Sequence, residues 1–197
     1  MPTRPPPPSA TGPNVHLRPP RKTDERAFIA AASTSRTLHG AWAKAPATRP
    51  EFTTFLRRYD GGSPLHLGLL VLRNGDDALV GVYNFSEIVR HAFQSTYLGY
   101  YAFSPLAGSG LMTEGLALAL DIAFRDLKLH RVEVNVQPTN RRSLALVTRL
   151  DFTREGYSRR YVKIAGRWRD HVRYAMLAED WRAKRSAIRA RLAEPPA

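Results

Sequence analysis

Residues 100–124 read YYAFSPLAGSGLMTEGLALALDIAF. An aromatic run ends in Phe103, the small-residue turn Ala107–Gly110 follows, and from about Met112 the chain turns amphipathic. Leu116, Leu120, Ala123, Phe124 and Leu127 fall on one stripe at helical spacing, which predicts a helix over 113–128. Two glycines therefore sit at a strand-to-helix joint. A helix N-terminus carries unpaired N–H groups and roughly half a positive charge, so it suits an anion, phosphate above all. Glycine lets the backbone come close to such a ligand because no Cβ intervenes. The simpler alternative is a glycine turn that only joins strand to helix.

Outward from this joint the chain alternates in type. Val15–Pro20 reads as a short strand stopped by two prolines, and Lys22–Arg36 as a helix opening at Thr23 or Asp24. Residues 48–62 read as a helix with Pro50 in its first turn and Gly61–Gly62 at its end. Pro64–Arg73 and Ala78–Val89 read as strands around the turn NGDD, and Thr96–Phe103 as a third. Val132, Val134 and Val136 alternate, as in a strand; Asn140 is a natural cap for a short helix after it. Glu155–Ile164 and Trp168–Leu177 complete the pattern as strands around AGR. Short turns imply antiparallel pairing among the early strands. The passage from Tyr97 through a helix to Val136 needs a right-handed crossover between parallel strands. The fold class is mixed α/β: a sheet with helices on its faces.

Composition bounds the function. The chain has 197 residues, 43% of them hydrophobic, enough for one domain with a real core. No apolar run has the length of a membrane span, and the proline-rich start lacks the apolar core of a secretory signal. Cysteine is absent, which removes disulfides, thiolate zinc sites and a cysteine nucleophile; the expectation is a cytoplasmic protein. The net charge of +13 favours anionic partners: nucleic acid, ribosome, membrane surface or a polyphosphate cofactor. Scattered arginine from a general compositional habit is the alternative. Basic residues do concentrate in 140–173 and in 181–197. Two phosphate motifs are excluded: there is no Gly-Lys-Ser/Thr, and Thr113 stands where a dinucleotide fingerprint has its third glycine.

The strings YLGY, GLMTE, HRVEVNVQPTNRRS, EGY and GRWRDHVRYAM stand in order along the chain. With them, Val15 to Trp181 resembles the GNAT superfamily of acyl-CoA-dependent N-acetyltransferases. Its RimJ/RimL branch, acetyltransferases of protein N-termini in bacterial ribosomal proteins, is the nearest match, on the RimJ side. The resemblance implies a mostly antiparallel twisted sheet with one splayed parallel pair. It implies acetyl-CoA as cosubstrate and no metal, with the pyrophosphate on the backbone N–H groups of Ala107, Gly108, Ser109, Gly110, Leu111 and Met112. It also implies a pantetheine arm in the gap beside the first parallel strand, and backbone donors at Tyr100, Tyr101 and Ala102 for the thioester oxyanion. Ala107 departs from the superfamily pattern, which opens with Gln or Arg and closes with Gly or Ala where Met112 stands. Asn140 would contact the pantetheine arm, Arg142 (with Arg141) the ribose phosphate, and Ser143 would protonate the leaving thiolate. A helix cap, a solvated basic face and a first-turn serine are the structural alternatives. For the general base, Glu87 leads by topology, with Tyr161 and His171 behind it; Asp170 and His171 can instead form a structural pair.

Three functions remain: acetylation of a protein N-terminus, ribosomal in particular; acetylation of a small amine such as an antibiotic, polyamine or amino acid; and a basic ribosome- or RNA-binding factor with a vestigial CoA site. The expected organisation is a disordered proline-rich segment 1–13, an acetyltransferase domain 14–181 and a basic tail 182–197 that contacts the ribosome as a helix.

Overall fold

The structure is a computed structural model that describes residues 8–40, 42–60 and 62–193. Its elements are β1 (Ala10–Thr11), β2 (Val15–Arg18), α1 (Glu25–Thr34), α2 (Arg36–His39), α3 (Arg49–Tyr59), β3 (Leu67–Arg73), β4 (Leu79–Val89), β5 (Ser95–Ala102), α4 (Leu111–Asp121), β6 (Arg131–Val136), α5 (Arg141–Arg149), β7 (Thr153–Ile164), β8 (Arg167–Leu177) and α6 (Ala178–Ala193). The strands form one sheet in the order β1-β2-β3-β4-β5-β6-β8-β7. Neighbours run antiparallel except β5 and β6, which are parallel.

That exception positions the site. β5 and β6 pair only from Ser95–Tyr97 to Arg131–Glu133, and beyond Tyr97 the two strands part. β5 stays bonded to β4 as far as Ala102, and β6 stays bonded to β8 as far as Val136, so both edges of the opening are held.

Each sheet face has its own core. Leu69, Val71, Tyr83, Phe85, Leu98, Val132, Val134 and Val136 pack beneath α4, α5 and α6. Leu70, Leu72, Val82 and Phe103 pack with Phe28, Phe52 and Phe55 of α1 and α3 on the other. Alternation along each strand divides residues between the two.

Three expectations need correction. Ala10 and Thr11 pair with Leu17 and His16, so ordered backbone begins inside the segment expected to be disordered; residues 1–7 of that segment lie outside the described residues. The helix expected over 113–128 starts at Leu111, capped by Gly110, and from Ile122 to Asp126 it widens into a π turn closed by Leu127 N–H to the Ile122 carbonyl at 2.9 Å. The widening lies beside Asp121, whose buried carboxylate accepts from Trp181 Nε1 at 2.8 Å and from Arg189 of α6. The boundary expected at 181/182 falls inside α6, and Trp181 and Ile188 are both buried in the core. Residues 194–197 lie outside the described residues.

Candidate active site

The turn before α4 is built to leave donors free. Gly108 and Gly110 have φ of 91° and 87°, a region that disfavours side chains, and each has open space where a Cβ would stand. Ser109 folds the turn on itself, its hydroxyl donating to the Leu106 carbonyl at 2.7 Å. Among the described residues, the amides of Gly110, Leu111 and Met112 donate to no backbone carbonyl, while Thr113 N–H already closes on Gly110 O at 2.8 Å. From below, the buried Tyr83 hydroxyl donates to Met112 O, and Met112 lies over Gly81, where a Cβ would fall 2.5 Å from its sulfur. The backbone donors on this turn fit a pyrophosphate.

The chain between β5 and this turn is tied to the first helices. His39 Nε2–H donates to Ala102 O at 2.8 Å, and Ser104 N–H donates to the buried Ser35 hydroxyl at 2.9 Å. Neither contact has a signal in the sequence, because both join residues more than sixty positions apart.

On the far side of the gap Asn140 caps α5, its Oδ1 accepting from Ser143 N–H at 3.1 Å. That cap turns Ser143 toward β5, where its hydroxyl lies 2.6 Å from the Tyr100 hydroxyl. Burial pushes the Tyr100 hydroxyl well above its usual pKa, and the Ser143 hydrogen bond only partly offsets this. Tyr100 therefore stays protonated; either hydroxyl can be the donor in this pair, and when Tyr100 donates the serine proton is free for another acceptor. The Tyr100–Ser143 pair was not anticipated from the sequence, where Tyr100 was expected only as a backbone donor. Arg141 and Arg142 are exposed on the first turn of α5.

The face toward α1–α3 carries the remaining candidates. Tyr161 hydrogen-bonds to the Tyr97 hydroxyl, whose pKa is raised by that bond, by burial and by the nearby Glu133 carboxylate. Its ring meets His171 edge-on at 6.0 Å. His171 is buried, donates from Nδ1 to Arg169 O at 3.0 Å, and desolvation lowers its pKa. Asp170 does not pair with it: that carboxylate accepts from the Tyr157 hydroxyl at 2.5 Å and from Arg160 N–H at 2.8 Å. Glu87 sits at a bulge of β4 with φ 51° and faces Arg58 of α3 at 3.7 Å; its side chain is 58% exposed. The structure thus brings Tyr161 and His171 together beside Tyr97, at the fork of the strands, and sets Glu87 at the rim. Among the described residues no group of three or more His, Cys, Asp or Glu is placed to hold a metal ion.

A parallel pair that opens into a gap, with a glycine turn and helix N-terminus at one end, is an arrangement that can hold an acyl donor between strands. The chain belongs to the GNAT acetyltransferase family: the model described as "Acetyltransferase (GNAT) domain" matches residues 14–153. A probable N-acetyltransferase of Bacillus subtilis, YjcK, is 32% identical over 86% of this chain and 97% of its own. A ribosomal protein uS5-alanine N-acetyltransferase of Escherichia coli is 41% identical over 120 residues, 61% of each chain. Among solved structures, Mycobacterium smegmatis RimJ in complex with CoA-disulfide superposes with a TM-score of 0.83 at 27% identity, covering 94% of this chain and 96% of that one. Among the described residues no helix is long and apolar enough to cross a membrane.

Proposed function

We propose that this enzyme transfers the acetyl group of acetyl-CoA to the N-terminal α-amino group of a protein, a ribosomal protein in particular, in a ternary complex. The observation that carries the reading is the opening between β5 and β6 beyond Tyr97, which ends at free amides on Gly110–Met112. The name of the E. coli relative, an alanine acetyltransferase of a ribosomal protein, supports the acceptor class. The net charge of +13 supports it too, since a polycationic small amine is repelled by such a surface. A cytoplasmic setting goes with that acceptor.

In this reading the turn Ala107–Met112 holds the pyrophosphate, and Asn140 and Arg142 hold the arm and the ribose phosphate. Alternate N–H groups of Tyr100–Ala102, directed at the gap, stabilise the oxyanion as the amine nitrogen bonds to the thioester carbon. When the C–S bond breaks, Ser143 gives its proton to the thiolate and regains one from Tyr100. An α-amine, with a pKa of about 8, is partly deprotonated at neutral pH, so positioning supplies most of the rate. Tyr161, through Tyr97, is the group placed to pass the amine's proton outward; Glu87 can take it up at the rim.

The test is incubation with acetyl-CoA and a panel of N-terminal peptides, lysine peptides and small amines, read by mass spectrometry. Acetylation of N-terminal peptides is expected. Preference for a small amine would move the acceptor class, and no transfer at all would leave a binding protein.

A further inference from the structure

β8 pairs with β6 only from Leu177 back to Val172, and β7 is the outermost strand of the sheet. Residues 158–171 therefore form a two-stranded arm that runs past the end of β6. The arm is anchored at its base, where the Tyr161 hydroxyl bonds that of Tyr97 and His171 is buried. Thr153–Leu177 holds seven basic residues and two acidic ones. Both acids are occupied: Glu155 by Arg131 at 2.8 Å, and Asp170 by the Tyr157 hydroxyl at 2.5 Å and Arg160 N–H at 2.8 Å. The three strand arginines outside this ribbon, Arg18, Arg73 and Arg131, each meet a carboxylate at 2.5–2.9 Å. The ion pairs among the described residues reach none of Arg154, Arg159, Arg160, Lys163 and Arg167, all of them exposed.

Two aromatic rings stand among these cations. Trp168 is 60% exposed and Tyr157 48%. Trp168 lies across the ladder from Lys163, and Tyr157 from Val172. Trp168, Asp170 and Val172 alternate along β8, so both rings share one face of the ribbon. A single exposed ring is ordinary on a protein surface. Two on one face of a ribbon whose cations have no partners suit a ligand that is both anionic and planar. Single-stranded nucleic acid is such a ligand, with phosphates along its backbone and unstacked bases that offer π faces. A duplex keeps its bases stacked on one another, and an acidic peptide has no bases to offer, so neither uses the rings.

We propose that the β7–β8 ribbon is a binding surface for single-stranded RNA, with Trp168 and Tyr157 stacking on bases and Arg159, Lys163 and Arg167 meeting phosphates. The surface stands on the ribbon itself, whereas the choice of RNA over DNA rests on the ribosomal acceptor proposed above. Bound this way, RNA next to an acceptor N-terminus holds the enzyme on the particle that carries its substrate.

The probe is a labelled single-stranded RNA of about twelve nucleotides, titrated with the full chain over a range of salt. It is compared with the same RNA as a duplex, with single-stranded DNA, with polyglutamate and with phosphatidylserine vesicles. Single-stranded RNA should bind tightest. Trp168→Ala should weaken that binding roughly tenfold at every salt concentration and leave the salt slope alone, and Trp168→Phe should recover most of the loss. Replacing Arg159, Lys163 and Arg167 together by glutamine should flatten the slope by about two units, at about 0.7 for each lost contact. Melting temperature, acetyl-CoA affinity and acetylation of a short peptide should hold in every variant, so RNA binding and acetyl transfer can fail independently. RNA affinity within twofold of wild type in Trp168→Ala overturns the proposal, as does a phenylalanine variant no better than alanine or an unchanged slope in the triple variant. Equal binding of the duplex, polyglutamate or vesicles by the wild type overturns it as well, since charge alone then accounts for the ribbon. Tighter binding of DNA than of RNA overturns the choice of RNA.

Discussion

At the scale of single residues, the proposed mechanism rests on a few groups whose local geometry can be tested one at a time. The Ser143 hydroxyl 2.6 Å from Tyr100 is the clearest, since Tyr100 is held protonated by burial and can refill the serine. Ser143→Ala should lower kcat by about 10²-fold with acetyl-CoA affinity nearly unchanged, because a proton delivered as the C–S bond breaks matters only in the transition state. Tyr100→Phe should reproduce most of that loss if the two act as a pair. Single-turnover kinetics checks both, and an unchanged chemical step in either would assign the pair to packing. Gly110 is a second case, with φ of 87° at the N-terminus of α4. Gly110→Val costs about 1–3 kcal/mol of backbone strain and places methyl groups where the phosphate would lie. The variant should remain folded but lose the rise in melting temperature that millimolar acetyl-CoA gives the wild type. A normal shift in a folded Gly110→Val would put the phosphate site elsewhere.

At the scale of elements, most of the order was legible, because periodicity and punctuation are local. Alternating Val132, Val134 and Val136, the cap at Asn140 and the turn NGDD each name their element without help from the rest of the chain. The parallel pair was legible for the same reason, since a strand–helix–strand passage cannot close any other way. What stayed hidden is long-range. The tie of His39 to Ala102, the buried Asp121 and the destination of α6 depend on residues about sixty positions away or more. α6 is the instructive case. Its arginines read as a tail, yet Arg185 and Arg189 reach Asp121 while Trp181 and Ile188 fill the core beneath. Burying an isoleucine contributes about 1.5–3 kcal/mol, and a buried carboxylate stripped of its partners costs about 3–5. Removing residues 183–197 should therefore lower the melting temperature by many degrees. A tail that only contacts the ribosome, as the sequence suggested, would instead be removable without cost to the fold. Thermal unfolding of the truncated chain decides: a shift of under two degrees would return α6 to the status of an appendage.

At the scale of the whole molecule, the excess of positive charge and the titrating groups act together. The His171 pKa is lowered by burial, so its neutral form belongs to the fold, and stability fully present above pH 6.5 is lost as pH falls toward the folded value. Glu155, held below its usual range by Arg131, and Asp170, held below it by Tyr157, add losses of the same sign beneath about pH 4.5. Each proton also adds to a net charge of +13, so repulsion grows in step. Melting temperature should decline in two stages, one as pH falls below 6.5 and a second beneath about pH 4.5, and His171→Gln should remove the first; a wild-type curve flat to pH 5 would deny His171 that part. The same charge bears on the partner. With Arg185, Arg189 and Arg191 engaged by Asp121 and Asp151, Arg182 and Lys184 are the α6 cations that the ion pairs among the described residues leave for an outside anion. Cations that meet phosphates release counterions, so ribosome association should fall steeply as salt rises, with a slope that counts the contacts. Replacing Arg182 and Lys184 by alanine keeps the packing of α6 intact, which the truncation does not, and should flatten that slope by about two units. Acetylation of a short free peptide should stay the same. Co-sedimentation of the double variant with ribosomes, equal to wild type at every salt concentration, would leave the charge of α6 to folding and solubility alone.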